Sequence, residues 1–175
     1  DRDREHLYFL ASTDVALGSG WANTSSGNVS PVYGAYIINL IADQASPFKP
    51  ESDEEAASSD DEIEGESAAD EDDAAEAEAE KLVQIDFEGL ERRTIAMPIP
   101  TRNYPLLLSG PKGTVFVAER MPNSRNMTLH KFSLESRESK QFLDNVSNLS
   151  ISADGNKMLL KQGEAWKVAD TAGAD

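Results

Sequence analysis

The second half of this 175-residue chain repeats itself. From Tyr104 it runs YPLLLSGPKGTVFVAER, then a polar turn, then MTLHKFSLESRESKQFLDNV; from Asn148 it runs NLSISADGNKMLLKQ and then GEAWKVAD. Ser109-Gly110-Pro111-Lys112-Gly113 aligns with Ser152-Ala153-Asp154-Gly155, each a tight turn from a first strand to a second, at a period of about 43 residues. That is the length of a propeller blade. A four-stranded unit of this size is apolar on both faces and too small to offset roughly 1 to 2 kcal/mol of ordering entropy per residue on its own. It must stack on neighbours. Gly113 and Gly155 suit the turns because glycine takes positive φ without a Cβ clash.

Around this repeat the chain is a procession of short β-type runs separated by Gly, Asn, Asp, Pro and Ser, with little helical periodicity, which predicts an all-β fold. The expected strands are HLYFLAS (6–12), VYGAYIINLIA (32–42), LVQIDF (82–87), RTIAMPI (93–99), YPLLLS (104–109), TVFVAE (114–119), TLHKFSL (128–134), SKQFLD (139–144), NLSIS (148–152), KMLLKQ (157–162) and AWKVA (165–169). Together they make a partial β-propeller of about two and a half four-stranded antiparallel blades. Residues 1–103 form a partial blade with enlarged loops, 104–147 a blade, and 148–175 a partial blade with a C-terminal linker. Phe132 and Trp166 are expected on third strands, filling the space between blades. A β-sandwich would use the same strands but does not explain the repeated turn. The first blade lacks its first strand, and Asp1-Arg2-Asp3-Arg4 enters HLYFLA without an initiator Met or a leader. The sequence is therefore expected to be part of a longer chain.

The formal net charge of -16 is local: 16 of the 32 acidic residues fall in residues 51–80, which hold no Lys or Arg. The remainder is balanced, leaving neither a basic nucleic-acid face nor an anionic-membrane footprint. Residues 50–80 have one Ile and no aromatic residue, so they are expected to be a disordered acidic loop. Within it, Asp60-Asp61-Glu62-Ile63-Glu64-Gly65 followed by Glu71 only approximates a calcium loop, with Glu where the shorter Asp or Asn is wanted and no flanking amphipathic helices. No apolar run approaches the roughly 20 residues of a spanning helix. The absence of cysteine removes disulfides, thiolate metal sites and cysteine nucleophiles.

Few residues have the types and spacing that catalysis or metal binding needs. His6 and His130 each lie in an expected strand without a second ligand at metal spacing, and both read as surface or packing residues. No G-x-S-x-G elbow occurs, and Gly18-Ser19-Gly20 has neither the third glycine nor the following helix of a dinucleotide site. Asp86, Glu88, Glu91, Arg92 and Arg93 around Gly89 read as a solvated hairpin with local ion pairs rather than an acid–base pair. Asn-x-Ser/Thr matches at Asn23, Asn28, Asn126, Asn145 and Asn148 mean little in a chain rich in Asn and Ser. No catalytic, cofactor-binding or metal residue is assigned, and no cofactor is expected.

Four longer strings carry a resemblance: LYFLAST (7–13), INLIADQASPFKPESDEE (38–55), VQIDFEGLERRTIAMPIPTRNY (83–104) and LSISADGNKMLLKQGEAWKVAD (149–170). They resemble the second propeller of tricorn-like serine peptidases, large enzymes that carry propellers ahead of a PDZ module and catalytic domains. The resemblance spans nearly all the chain except the acidic tract, which looks like an enlargement of the loop beginning SPFKPESDEE. It implies a non-catalytic segment whose partners are the remaining propeller, PDZ and catalytic domains of a peptidase, itself a homo-oligomer, with the catalytic serine and histidine further along. It also implies propellers that frame the route of peptides to or from an interior active site, a cytoplasmic location with the periplasm as alternative, and contact with passing peptide at Ser109 and Ser150. The competing expectation is a propeller-type module that binds a protein partner.

Overall fold

The structure, a computed structural model, describes residues 1–13, 31–49 and 82–173. The acidic tract, its calcium-like stretch at 60–71 and the Gly18-Ser19-Gly20 run lie outside these. Among the described residues the regular elements are strands and one 3-10 turn, Leu90–Arg93. No helix there is long and apolar enough to cross a membrane.

Two antiparallel sheets make up the partial propeller. The first contains β1 (His6–Ala11), β2 (Gly34–Asn39) and β3 (Thr94–Ala96), in that order. The second is a curled meander of β4 (Leu106–Ser109), β5 (Thr114–Arg120), β6 (Met127–Ser133), β7 (Glu138–Ile151), β8 (Lys157–Gln162) and β9 (Ala165–Asp170). The repeated turns close in the same way. In the β4–β5 turn Gly113 takes φ 65° and Gly110 N donates to Thr114 O at 2.9 Å. In the β7–β8 turn Gly155 takes φ 81° and Ser152 N donates to Lys157 O at 2.9 Å.

Side-chain alternation divides β5 between two cores. Phe116 and Ala118 enter a cluster with Met127, Leu129, Val146, Leu149, Met158 and Leu160. Val115 and Val117 face the other way, into a cluster with Ala35, Ile37, Met97, Tyr104 and Phe132 that joins the two sheets. A strand buried on both faces is what stacking of neighbour-dependent sheets requires. Phe132 is fully buried and meets Phe48 edge-on, with ring centroids 6.2 Å apart.

Three expectations need correction. Leu82–Phe87 is not a strand: its main-chain tie to the sheet is Asp86 N to Leu40 O at 2.9 Å, and Leu82 and Phe87 are exposed. SKQFLD and NLSIS are not separate strands but one, β7, because Val146 between them is fully buried and pairs with both Met127 and Gln162. The bend is absorbed by register shifts on both sides of Val146 and by Asn145 at φ 56°. Trp166 does not fill a core. It lies opposite Lys161 on edge strand β9 and is 55% exposed, on the face that also exposes Leu159 and Val168, whereas Met158 and Leu160 point inward.

Phe132→Ala is expected to cost about 3 to 5 kcal/mol, because it empties the cluster that joins the sheets. Trp166→Ala is expected to cost no more than about 1 kcal/mol. Urea midpoints at unchanged slope measure both, and equal losses would contradict the packing described.

Candidate functional site

The two repeat-equivalent turns lie side by side, and one side chain holds them. Arg2 donates from Nε to Ala153 O at 3.0 Å, from Nη2 to Ser152 O at 2.7 Å, and from Nη1 to Gly110 O at 2.7 Å and to Ser109 O. These are the carbonyls at and just beyond the end of the first strand in successive copies of the repeat. A planar guanidinium with its donors in a fixed fork can reach both turns at once. Asp1 organises the segment that presents it: Oδ1 accepts from Glu5 N at 3.0 Å and His6 N at 3.2 Å, and Oδ2 lies 2.9 Å from His6 Nδ1. His6 is buried there, and burial, partly opposed by the charge of Glu5, pushes its pKa down. On the rim, the Asp154 carboxyl accepts from the Ser152 hydroxyl at 2.5 Å and from Asn156 N at 3.1 Å, which holds its pKa below the usual carboxylate value.

Between the first strands, next to Arg2, is a cleft of about 450 Å³. Leu108, Ser109, Leu149, Ser150, Ile151 and Ala153 line it together with Asp1 and Arg2. Ser109 and Ser150, named from the sequence, thus share one cleft. Their hydroxyls, the strand edges and a guanidinium already bonded to carbonyls offer hydrogen bonds and an apolar floor. That set can hold a polar chain.

The other residues singled out from the sequence are placed elsewhere. His130 Nε2 lies 2.9 Å from Glu119 Oε2, and Arg102 Nη1 donates to both Glu119 oxygens at 2.9 Å. Glu119 is buried at the end of β5, so the Arg and His supply the partners its charge needs. Arg102 also exchanges main-chain hydrogen bonds with Tyr33, at 2.7 and 3.2 Å, which ties this cluster to the start of β2. Tyr104 alongside donates to Pro100 O at 2.7 Å, and burial together with the Glu119 charge pushes its phenol pKa up. The charged run around Gly89 is a clamp rather than a set of ion pairs. Arg93 donates to Asn39 O at 3.0 Å, Glu88 O at 2.9 Å and Asp86 O, and Asp86 Oδ2 accepts from Ala42 N at 2.8 Å. Asn126 Nδ2 donates to Asn145 Oδ1 at 2.5 Å, which joins the β5–β6 turn to the bend of β7. Asn23 and Asn28 lie outside the described residues. Among the described residues no group of three or more His, Asp or Glu is placed to hold a metal ion.

Sequence reading missed Arg2, Arg102 and Glu119. Glu119 carried a usable signal: an acid ending the apolar run TVFVA, opposite a strand that contains His130. Arg2 carried none, because its partners are carbonyls more than 100 residues away.

No family model matches the chain, and no curated protein matches it. Among solved structures, the crystal structure of the tricorn protease superposes on 97% of this chain with a TM-score of 0.58 at 11% sequence identity. The chain spans 15% of the length of that one. A likeness at this identity establishes the fold, a tricorn-like partial β-propeller.

Arg2→Met is expected to lower stability by about 1 to 3 kcal/mol, because it strips partners from part-buried carbonyls. Arg2→Lys should fail to restore the loss, since an ammonium cannot span both turns. Urea denaturation checks this, and full recovery with Lys would show that charge, not the fork, matters.

Proposed function

We propose that this chain is a non-catalytic β-propeller segment of a tricorn-like serine peptidase, with a structural role and a role in guiding peptides to or from a catalytic site in other domains. The observation that carries the reading is the cleft between the first strands of successive repeats, lined by Ser109 and Ser150 and bounded by Arg2. Its groups offer many weak hydrogen bonds, which suits passage of varied peptides. The likeness to the tricorn protease supports a peptidase parent. On this reading the partners are the remaining propeller, PDZ and catalytic domains, in a parent that is a homo-oligomer.

A second reading, a module that binds a protein partner, is favoured by one observation. Leu159, Trp166 and Val168 form an exposed apolar patch on the outer face of the β8–β9 hairpin, and such patches mark contact surfaces. The coding sequence beyond Asp175 separates the two: a PDZ-like and catalytic region under the first reading, an end or further blades under the second.

Within the parent enzyme, Ser150→Trp fills the cleft from an exposed position. It is expected to lower kcat/KM for long peptides while leaving short chromogenic substrates unchanged. Equal losses on both substrate classes would count against guiding.

A further inference from the structure

The innermost strands turn their apolar side chains sideways into the blades. Leu108, Leu149 and Ile151 all belong to, or pack against, the cluster centred on Phe116 and Met158. With much of their apolar surface packed inward, these strands also present main chain to the cleft along their edges.

The register shows which atoms. In an antiparallel pair, residues alternate between those that exchange hydrogen bonds with the partner and those whose N–H and C=O point to the opposite edge. Ser152 N donates to Lys157 O, while Ser150 is opposite Leu159 and Asn148 opposite Lys161. Counting back by twos from Ser152, Ser150 and Asn148 bond to β8, and Leu149 and Ile151 aim their N–H and C=O groups at the other edge. β6 covers that edge only as far as Val146, through Met127. Beyond Val146, no group among the described residues pairs with them. In β4 the Gly110 N to Thr114 O bond sets the same alternation, so Leu107 and Ser109 face outward, and the Ser109 carbonyl is taken by Arg2.

Leu149 and Ile151 thus present two donors and two acceptors at a repeat of roughly 6.6 Å, the period at which an extended peptide presents its own. Unpaired strand edges of this kind accept an added strand, with main-chain bonds supplying affinity irrespective of sequence.

We propose that the open edge of β7 at Leu149 and Ile151 is a docking edge for extended peptide, which adds as one more strand in the cleft beside Ser109 and Arg2. The ligand class rests on the peptide-guiding reading; the edge itself rests on the register. Main-chain recognition explains how a wall with so few polar side chains holds peptides of varied sequence.

Amide hydrogen exchange of the full 175-residue chain, followed by NMR, tests this. The probe is a peptide of alternating Thr and Gln at millimolar concentration, about eight residues long and so able to span the edge at roughly 3.3 Å per residue. Its control is the same peptide N-methylated at every residue, which leaves no N–H on either edge. With the unmodified peptide, exchange at Leu149 and Ile151 is expected to slow about tenfold or more, while Ser150, already bonded to β8, is unchanged. The N-methylated peptide should leave all three unchanged. Unaltered exchange at Leu149 and Ile151, or slowing confined to the β9 edge around Trp166, overturns the proposal. Should Ser150→Trp spare long-peptide cleavage while these amides are protected, the guiding role falls and the docking edge stands. Selective loss of long-peptide cleavage without protection overturns the edge and leaves guiding intact.

Discussion

One strand holds the larger sheet together. β7 runs for 14 residues, bonding β6 with its first part and β8 with its last. Val146 at the crossover is fully buried and pairs on both sides. The hairpin β8–β9 has too little apolar surface to order itself, so it depends on the strand it shares with β4–β6. The core records that dependence: Phe116 and Leu129 from one side of β7 meet Met158 and Leu160 from the other in a single cluster. The smaller sheet leans on β5 in turn, through Val115 and Val117.

Arginine does at the turns what apolar burial does in the core. Main-chain carbonyls at strand ends need partners once neighbouring sheets exclude water. Arg2 supplies them for both repeated turns, and Arg93 for the end of β2 and the loop at Asp86–Glu88. Arg102, by contrast, is matched to a buried carboxylate that also lies against His130. Each of the three ties together segments that the sequence separates.

What was legible in the sequence was local. The all-β class, the repeat and its glycine turns follow from alternation and from the need for positive φ at Gly113 and Gly155. The repeat put Ser109 and Ser150 on first strands, and the structure puts both on one cleft. What was not legible depended on distant partners. Leu82–Phe87 alternates like a strand, yet only Asp86 among its amides bonds the neighbouring loop at Leu40. Trp166 has the residue type of a core anchor, but its face of β9 is exposed, as Leu159 and Val168 beside it are. Asn145, a residue that tolerates left-handed backbone, lets β7 bend without ending, and alternation alone could not tell a bend from a break.

The chain is a partial propeller: sheets that depend on their neighbours, turns strapped by an arginine, and first strands whose edges face a cleft. β7 makes the sheet from β4 to β9 one cooperative unit. Native-state hydrogen exchange across a urea series measures this directly. Amides of β5, β6 and β8 should converge on one opening free energy and one urea dependence. If β8 and β9 instead open together at a much lower free energy while β5 and β6 stay protected, β7 joins two independent units and the account fails.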